Sequence, residues 1–154
     1  MKMRYVLFIS LLIIIIFLIG IVSSKKNITI KNITYFYYHY TKGYAINSNI
    51  SYTIECTDKC MASIKLYGKT EEEAIMVEVS KDKMEELVNI INMYRVYKWD
   101  GFDKVDKNVL DGDSFGLSIK SENKNISCSG YMKYPKNYRD FEREVDKFFN
   151  ELIK

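Results

Sequence analysis

The sequence predicts an α+β fold: an antiparallel β-sheet of about five to seven strands with two amphipathic helices on one face, preceded by an N-terminal transmembrane helix. Three observations carry this reading. An apolar run, VLFISLLIIIIFLIGIV, fills residues 6–22 with only Ser10 and Gly20 among its large side chains. After it, short segments alternate apolar and polar residues with the period of a half-buried strand. Two longer segments, near residues 81–96 and 138–152, repeat apolar residues at helical spacing. At 154 residues, 47% hydrophobic and 28% charged, the chain has the length of one domain and the composition of a folded one.

The N-terminal element comes first. As a helix, residues 6–22 span about 25 Å, the short end of a membrane crossing and longer than the core of a signal peptide. Lys2 and Arg4 flank it on one side and Lys25, Lys26 and Lys31 on the other, so the positive-inside count is nearly balanced. The expected arrangement is a single-pass anchor over residues 1–24, amino terminus inside and domain outside. The alternative is secretion after signal cleavage near Ser24. Lys25 and Lys26 directly after such a cut, and the lack of an Ala-x-Ala site, argue for the anchor. No cysteine lies near the run, which excludes a lipoprotein anchor.

Residues 25–34 read as a membrane-proximal linker and residues 35–154 as a single domain. Of the 23 basic residues only Lys2 and Arg4 belong to the first 24 positions, leaving 21 against 20 acidic ones. A near-neutral domain excludes a dedicated nucleic-acid binder.

Within the domain, Asn27–Thr41 is β-branched and aromatic and runs into a first strand. Lys42-Gly43 is a turn signal. Ile50, Tyr52, Ile54 and Cys56 alternate with polar residues, Thr57-Asp58-Lys59 turns the chain, and Cys60, Ala62, Ile64 and Leu66 alternate in return. A charged segment, 69–73, leads to the short strand AIMVEV. Ser80 is placed to cap a helix, with Asp82 in its first turn and Met84, Leu87, Val88, Ile91 and Arg95 on one face as far as about Val96. Residues 97–114 are acidic and irregular. Phe115, Leu117 and Ile119, then Ile126, Cys128 and Gly130, make a second hairpin around a turn at 122–125. Pro135 and Asn137 announce the last helix, with Tyr138, Phe141, Val145, Phe148, Phe149 and Leu152 on its apolar face.

Several residues can carry chemistry. Cys56, Cys60 and Cys128 fall in phase with apolar strand faces, as buried thiols do; outside the cytoplasm, Cys56 and Cys60 can instead close a disulfide across their turn, or either can pair with Cys128. A zinc site lacks a second ligand pair. His39, the single histidine, shares a strand face with Tyr35 and Tyr37 and reads as an edge or surface residue. Asp100, Asp103, Asp106, Asp111 and Asp113 form an acidic stretch that can be a solvated loop or a Ca²⁺ or Mg²⁺ site. Residues 111–122 fit an EF-hand loop poorly, because Phe115 stands at a ligand position and no helix precedes Asp111.

Trp99, Tyr131 and Tyr134 suit stacking on a saccharide or a protein partner. Lys, Asn, Ile and Tyr number 19, 11, 20 and 13, types that share A/T-rich codons, so tyrosine abundance by itself carries little. Asn27, Asn32, Asn49 and Asn125 stand in N-x-S/T sequons, the first two in the expected linker and accessible to glycosylation. No P-loop, G-x-G-x-x-G, G-x-S-x-G or H-E-x-x-H occurs, and no cofactor is implied.

The segments WDGFDK (99–104), VLDGDSF (109–115) and SGYMKYPKNY (129–138) together resemble a family of small proteins of low-GC anaerobic prokaryotes, often with an N-terminal apolar segment. The resemblance runs from about Tyr44 to the end and implies no activity. It implies that Trp99, Asp111, Gly112, Gly130 and Pro135 form one structural unit, where the second hairpin meets the acidic loop and the last helix. The expectation for function is a membrane-tethered extracytoplasmic interaction domain without catalysis. Its membrane contact is residues 6–22, and it binds an envelope protein, peptide or glycan through the sheet face and Trp99, Asp100, Asp103, Asp111, Asp113, Tyr131 and Tyr134. The alternative is a Ca²⁺- or Mg²⁺-dependent enzyme, or a metal-binding domain, using residues 100–113.

Overall fold

The computed structural model describes residues 28–43 and 49–154. The anchor expected over residues 1–24 and the sequon at Asn27 lie outside them; among the described residues no helix is long and apolar enough to cross a membrane. The chain forms β1 (Ile33–Thr41), β2 (Asn49–Cys56), β3 (Cys60–Lys65), β4 (Ile75–Val79), α1 (Lys81–Met93), β5 (Asp103–Val105), β6 (Ser114–Ser121), β7 (Ile126–Tyr131) and α2 (Tyr138–Leu152). The seven strands make one sheet in the order β4-β3-β2-β1-β6-β7-β5. Every pairing is antiparallel except the short β5, which runs parallel to β7.

Strand alternation decides which face is buried. Phe36, Tyr38 and Tyr40 of β1, Tyr52 and Ile54 of β2, Ala62 and Ile64 of β3, and Phe115, Leu117 and Ile119 of β6 point to one face and are buried there. Both helices cover that face. Phe149 stacks on Tyr52 at 4.3 Å between centroids, and Phe141 meets Tyr38 and Trp99 edge to face. Leu87, Ile90 and Ile91 are the buried residues of α1. Ser80 caps α1, its hydroxyl accepting from Lys83 N–H.

Four departures from the sequence reading have physical reasons. The linker expected over 25–34 is packed structure from Ile30 onward: Ile30 is fully buried, and its N–H and C=O both bond to the Asn92 side chain. Helix α1 stops at Met93, because Arg95 adopts the left-handed conformation (φ 55°) and redirects the chain into a single 3-10 turn, Val96–Lys98. The acidic stretch is not wholly irregular, since Asp103–Val105 pairs with β7. His39 is on no edge: its strand, β1, pairs with β2 on one side and β6 on the other.

Candidate functional site

The residues singled out in the sequence do not converge. Trp99 is 3% exposed, its ring against Tyr138 and Phe141 and its indole N–H donating to Lys136 C=O; it belongs to the core and offers no ring face for stacking. Tyr134 is half-buried, stacked on Phe115 and Tyr138 and covered by the Arg139 guanidinium at 4.3 Å. Tyr131 ends β7 on the opposite side of the sheet.

The carboxylates are spread out, and four of the five face partners of their own. Asp100 bonds Lys124 and the Ser127 N–H, and the ammonium holds its carboxyl below the usual range. Asp106 is held low in the same way by Lys133 and by the Asn108 N–H. Asp103 accepts from the Ser129 hydroxyl at 2.7 Å, Asp113 faces Arg139 at 3.9 Å, and exposed Asp111 lies beside Gly43. Among the described residues no group of three or more His, Cys, Asp or Glu side chains can hold a metal ion. Residues 114–121 are strand, which leaves no EF-hand loop.

The parts of the three motifs do meet. A Cβ on Gly112 would strike the Met132 side chain, one on Gly130 would strike the Lys133 carbonyl, and Trp99 reaches the residue after Pro135. These contacts lock the second hairpin to the start of α2. Cys56 and Cys60 face each other across β2 and β3 and are joined in a disulfide, while Cys128 is free and buried. Asn32 is exposed and donates to Glu122.

Sequence reasoning missed the composition of the face that the helices leave open. Strand register lays it out in rows. One row carries Ser63 of β3, Thr53 of β2, Tyr37 of β1, Ser118 of β6 and Ser127 of β7, a hydroxyl on each of five adjacent strands. Adjacent strands are about 4.8 Å apart, so the row spans about 19 Å. The next row reads Lys65, Ser51, His39, Gly116, Ser129 and Asp103, and a third holds Glu55, Tyr35 and Lys120, with the ammonium of Lys120 over the Tyr35 ring. The segment after β3 bounds the face on one side, where Glu71 pairs with nearly buried Lys65 at 2.8 Å. Burial and then the Glu71 charge raise the Tyr37 phenol above its ordinary pKa, so it stays a hydroxyl.

His39 lies flat over Gly116. A Cβ there would strike the imidazole, so only glycine leaves room for the ring. Its Nδ1 is buried without a hydrogen-bond partner, and burial lowers its pKa, so the ring is neutral at neutral pH. Ser129 gives its proton to Asp103, not to His39. The row thus contains Ser, His and Asp without the serine-to-imidazole bond that activates a nucleophile. What the face offers is a central row of neutral donors and acceptors, flanked by rows that carry Lys65 and Asp103 on one side and Glu55 and Lys120 on the other.

At the other end of β1 a polar cavity of about 330 Å³ is lined by Tyr40, Lys42, Asp113, Arg139, Glu142, Arg143 and Asp146. Its three cations and three carboxylates balance, and Arg139 pairs with Glu142 at 2.9 Å. Beneath it, the Tyr38 and Tyr138 hydroxyls share a hydrogen bond of 2.8 Å inside the core. Compared with known proteins, the chain matches no family model and has no significant match to a curated protein.

Proposed function

We propose that this chain is a membrane-tethered, extracytoplasmic binding domain that takes a neutral glycan across the open face of its sheet. The observation that carries the reading is the uncharged row Ser63, Thr53, Tyr37, Ser118 and Ser127. Hydroxyls both donate and accept, so a regular row of them is complementary to a polymer whose own surface is hydroxyl-rich. Tyr35 and Tyr37 add flat, amphipathic rings at the centre of the face. The Cys56–Cys60 disulfide supports an oxidising compartment, and the apolar run at 6–22 supports the tether.

The test is a titration of the full chain, reconstituted in lipid nanodiscs, against neutral and charged polysaccharides. Neutral glycans are expected to bind. Tyr37→Ala is expected to weaken binding by about 2 kcal/mol, or about thirtyfold. Ser118→Lys, which sets a charge and a long side chain in the middle of the row, is expected to abolish it with the thermal midpoint unchanged. Binding that survives Ser118→Lys, or occurs only with charged polymers, refutes the assignment.

A further inference from the structure

A second cavity lies at the pole of the domain where the described chain begins. It is a groove of about 740 Å³ between α1 and the β2–β3 turn, walled by the lead-in to β1, Thr29–Ile33. Met84 and Val88 of α1 line one side and the Cys56–Cys60 disulfide the other, and beneath them lie the buried side chains of Ile30, Ile33 and Val79. We propose that this groove takes an acyl chain of a lipid from the membrane to which the chain is tethered. The inference rests on the membrane-tethered reading above.

Three observations select this occupant. The volume falls within the range of about 300–1,000 Å³ typical of small-molecule sites. The rim holds Lys31, Lys59 and Lys81 against Asp58, Glu78 and Glu85, charges that cancel, so the apolar floor and not a headgroup charge does the recognising. That charged border also confines the apolar strip, which argues against a protein interface of the usual area of about 1,000 Å² or more. Finally, only five residues separate Val22, the end of the apolar run, from Ile28. Fully extended they reach at most about 20 Å, so the groove stays close to the bilayer surface. Acyl chains are the most concentrated apolar ligand at that distance.

The experiment reconstitutes the full chain in vesicles containing a phosphatidylcholine with a photoreactive diazirine in one acyl chain, followed by irradiation and peptide mass mapping. Adducts are expected on residues 6–22 and also on Met84, Val88 and the Thr29–Ile33 segment. Met93, on the same helix but outside the groove and 69% exposed, is the control for mere nearness to lipid and should carry few adducts. Val88→Trp, which fills the groove from a half-buried position, should cut groove adducts by about tenfold without changing those on residues 6–22. Met84→Glu should do the same by placing a charge against the floor, and serves if the tryptophan variant folds poorly.

Adducts confined to residues 6–22, or equal at Met93 and Val88, overturn the lipid site while leaving the tether intact. A lipid-free dimer by native mass spectrometry, lost in Val88→Trp, assigns the groove to a second copy and overturns the proposal as well. A chain that fails to float with the vesicles and acquires no adducts refutes the tether itself, and the lipid site with it.

Discussion

Cys128 and His39 show how burial sets the chemistry of single side chains here. Burial pushes the Cys128 thiol up to about 12, so almost none of it is thiolate at neutral pH. Alkylation followed by intact mass is therefore expected to modify no cysteine in the native protein, one in denaturant, and all three only after reduction. Any adduct on the native protein counts against the pairing or against the burial of Cys128. His39 gives a pH dependence of definite sign. Its folded pKa is lowered from 6.5 by burial, so below pH 6.5 the unfolded chain takes up a proton that the folded chain resists. Stability is therefore lost as pH falls from 6.5 through the lowered folded value. Asp146, raised mainly by burial, acts in the opposite sense: its contribution is present at low pH and lost as pH rises through its raised value. The thermal midpoint of His39→Gln relative to wild type should therefore rise steadily between pH 7.5 and 5; a constant gap would show that the imidazole is not desolvated.

Among the elements, α2 places Tyr138, Phe141, Val145, Phe148 and Phe149 in the core. Phe149 is fully buried and stacked on Tyr52 near Phe36, so Phe149→Ala should cost about 3–5 kcal/mol in equilibrium denaturation. Lys147→Ala, on the exposed side of the same helix, should stay within about 0.5 kcal/mol. The apolar face of α2 was legible in the sequence because its spacing is local, and so were the two hairpins and the Ser80 cap. The end of α1 was not, since a left-handed Arg95 lacks the glycine that usually signals such a stop. The three residues of β5 are too few for alternation to register. For the site, the outward hydroxyls of each strand were visible one strand at a time. Their alignment into a row depends on pairs such as Tyr37 with Ser118, far apart in sequence, and no local pattern encodes that register. Trp99 misled for the complementary reason: residue type suggests stacking, but the space left between α2 and the second hairpin decides where the ring goes.

At the scale of the whole molecule the two ends of the sheet differ. One carries the apolar groove beside the start of the described chain, the other the charge-balanced cavity at Lys42, Asp113 and Arg139. Between them, one face is sealed by helices and the other is open and hydroxylated. The N-terminal strand β1 sits in the middle of the seven-stranded order, bonded along its length to β2 and β6. Antiparallel ladder bonds lie across the strands, so a pull along β1 strains many of them together. A domain held at its N-terminus while gripping a ligand on the open face would meet tension in shear through its central strand, a mechanically strong geometry, where an edge-strand attachment would be unzipped one bond at a time.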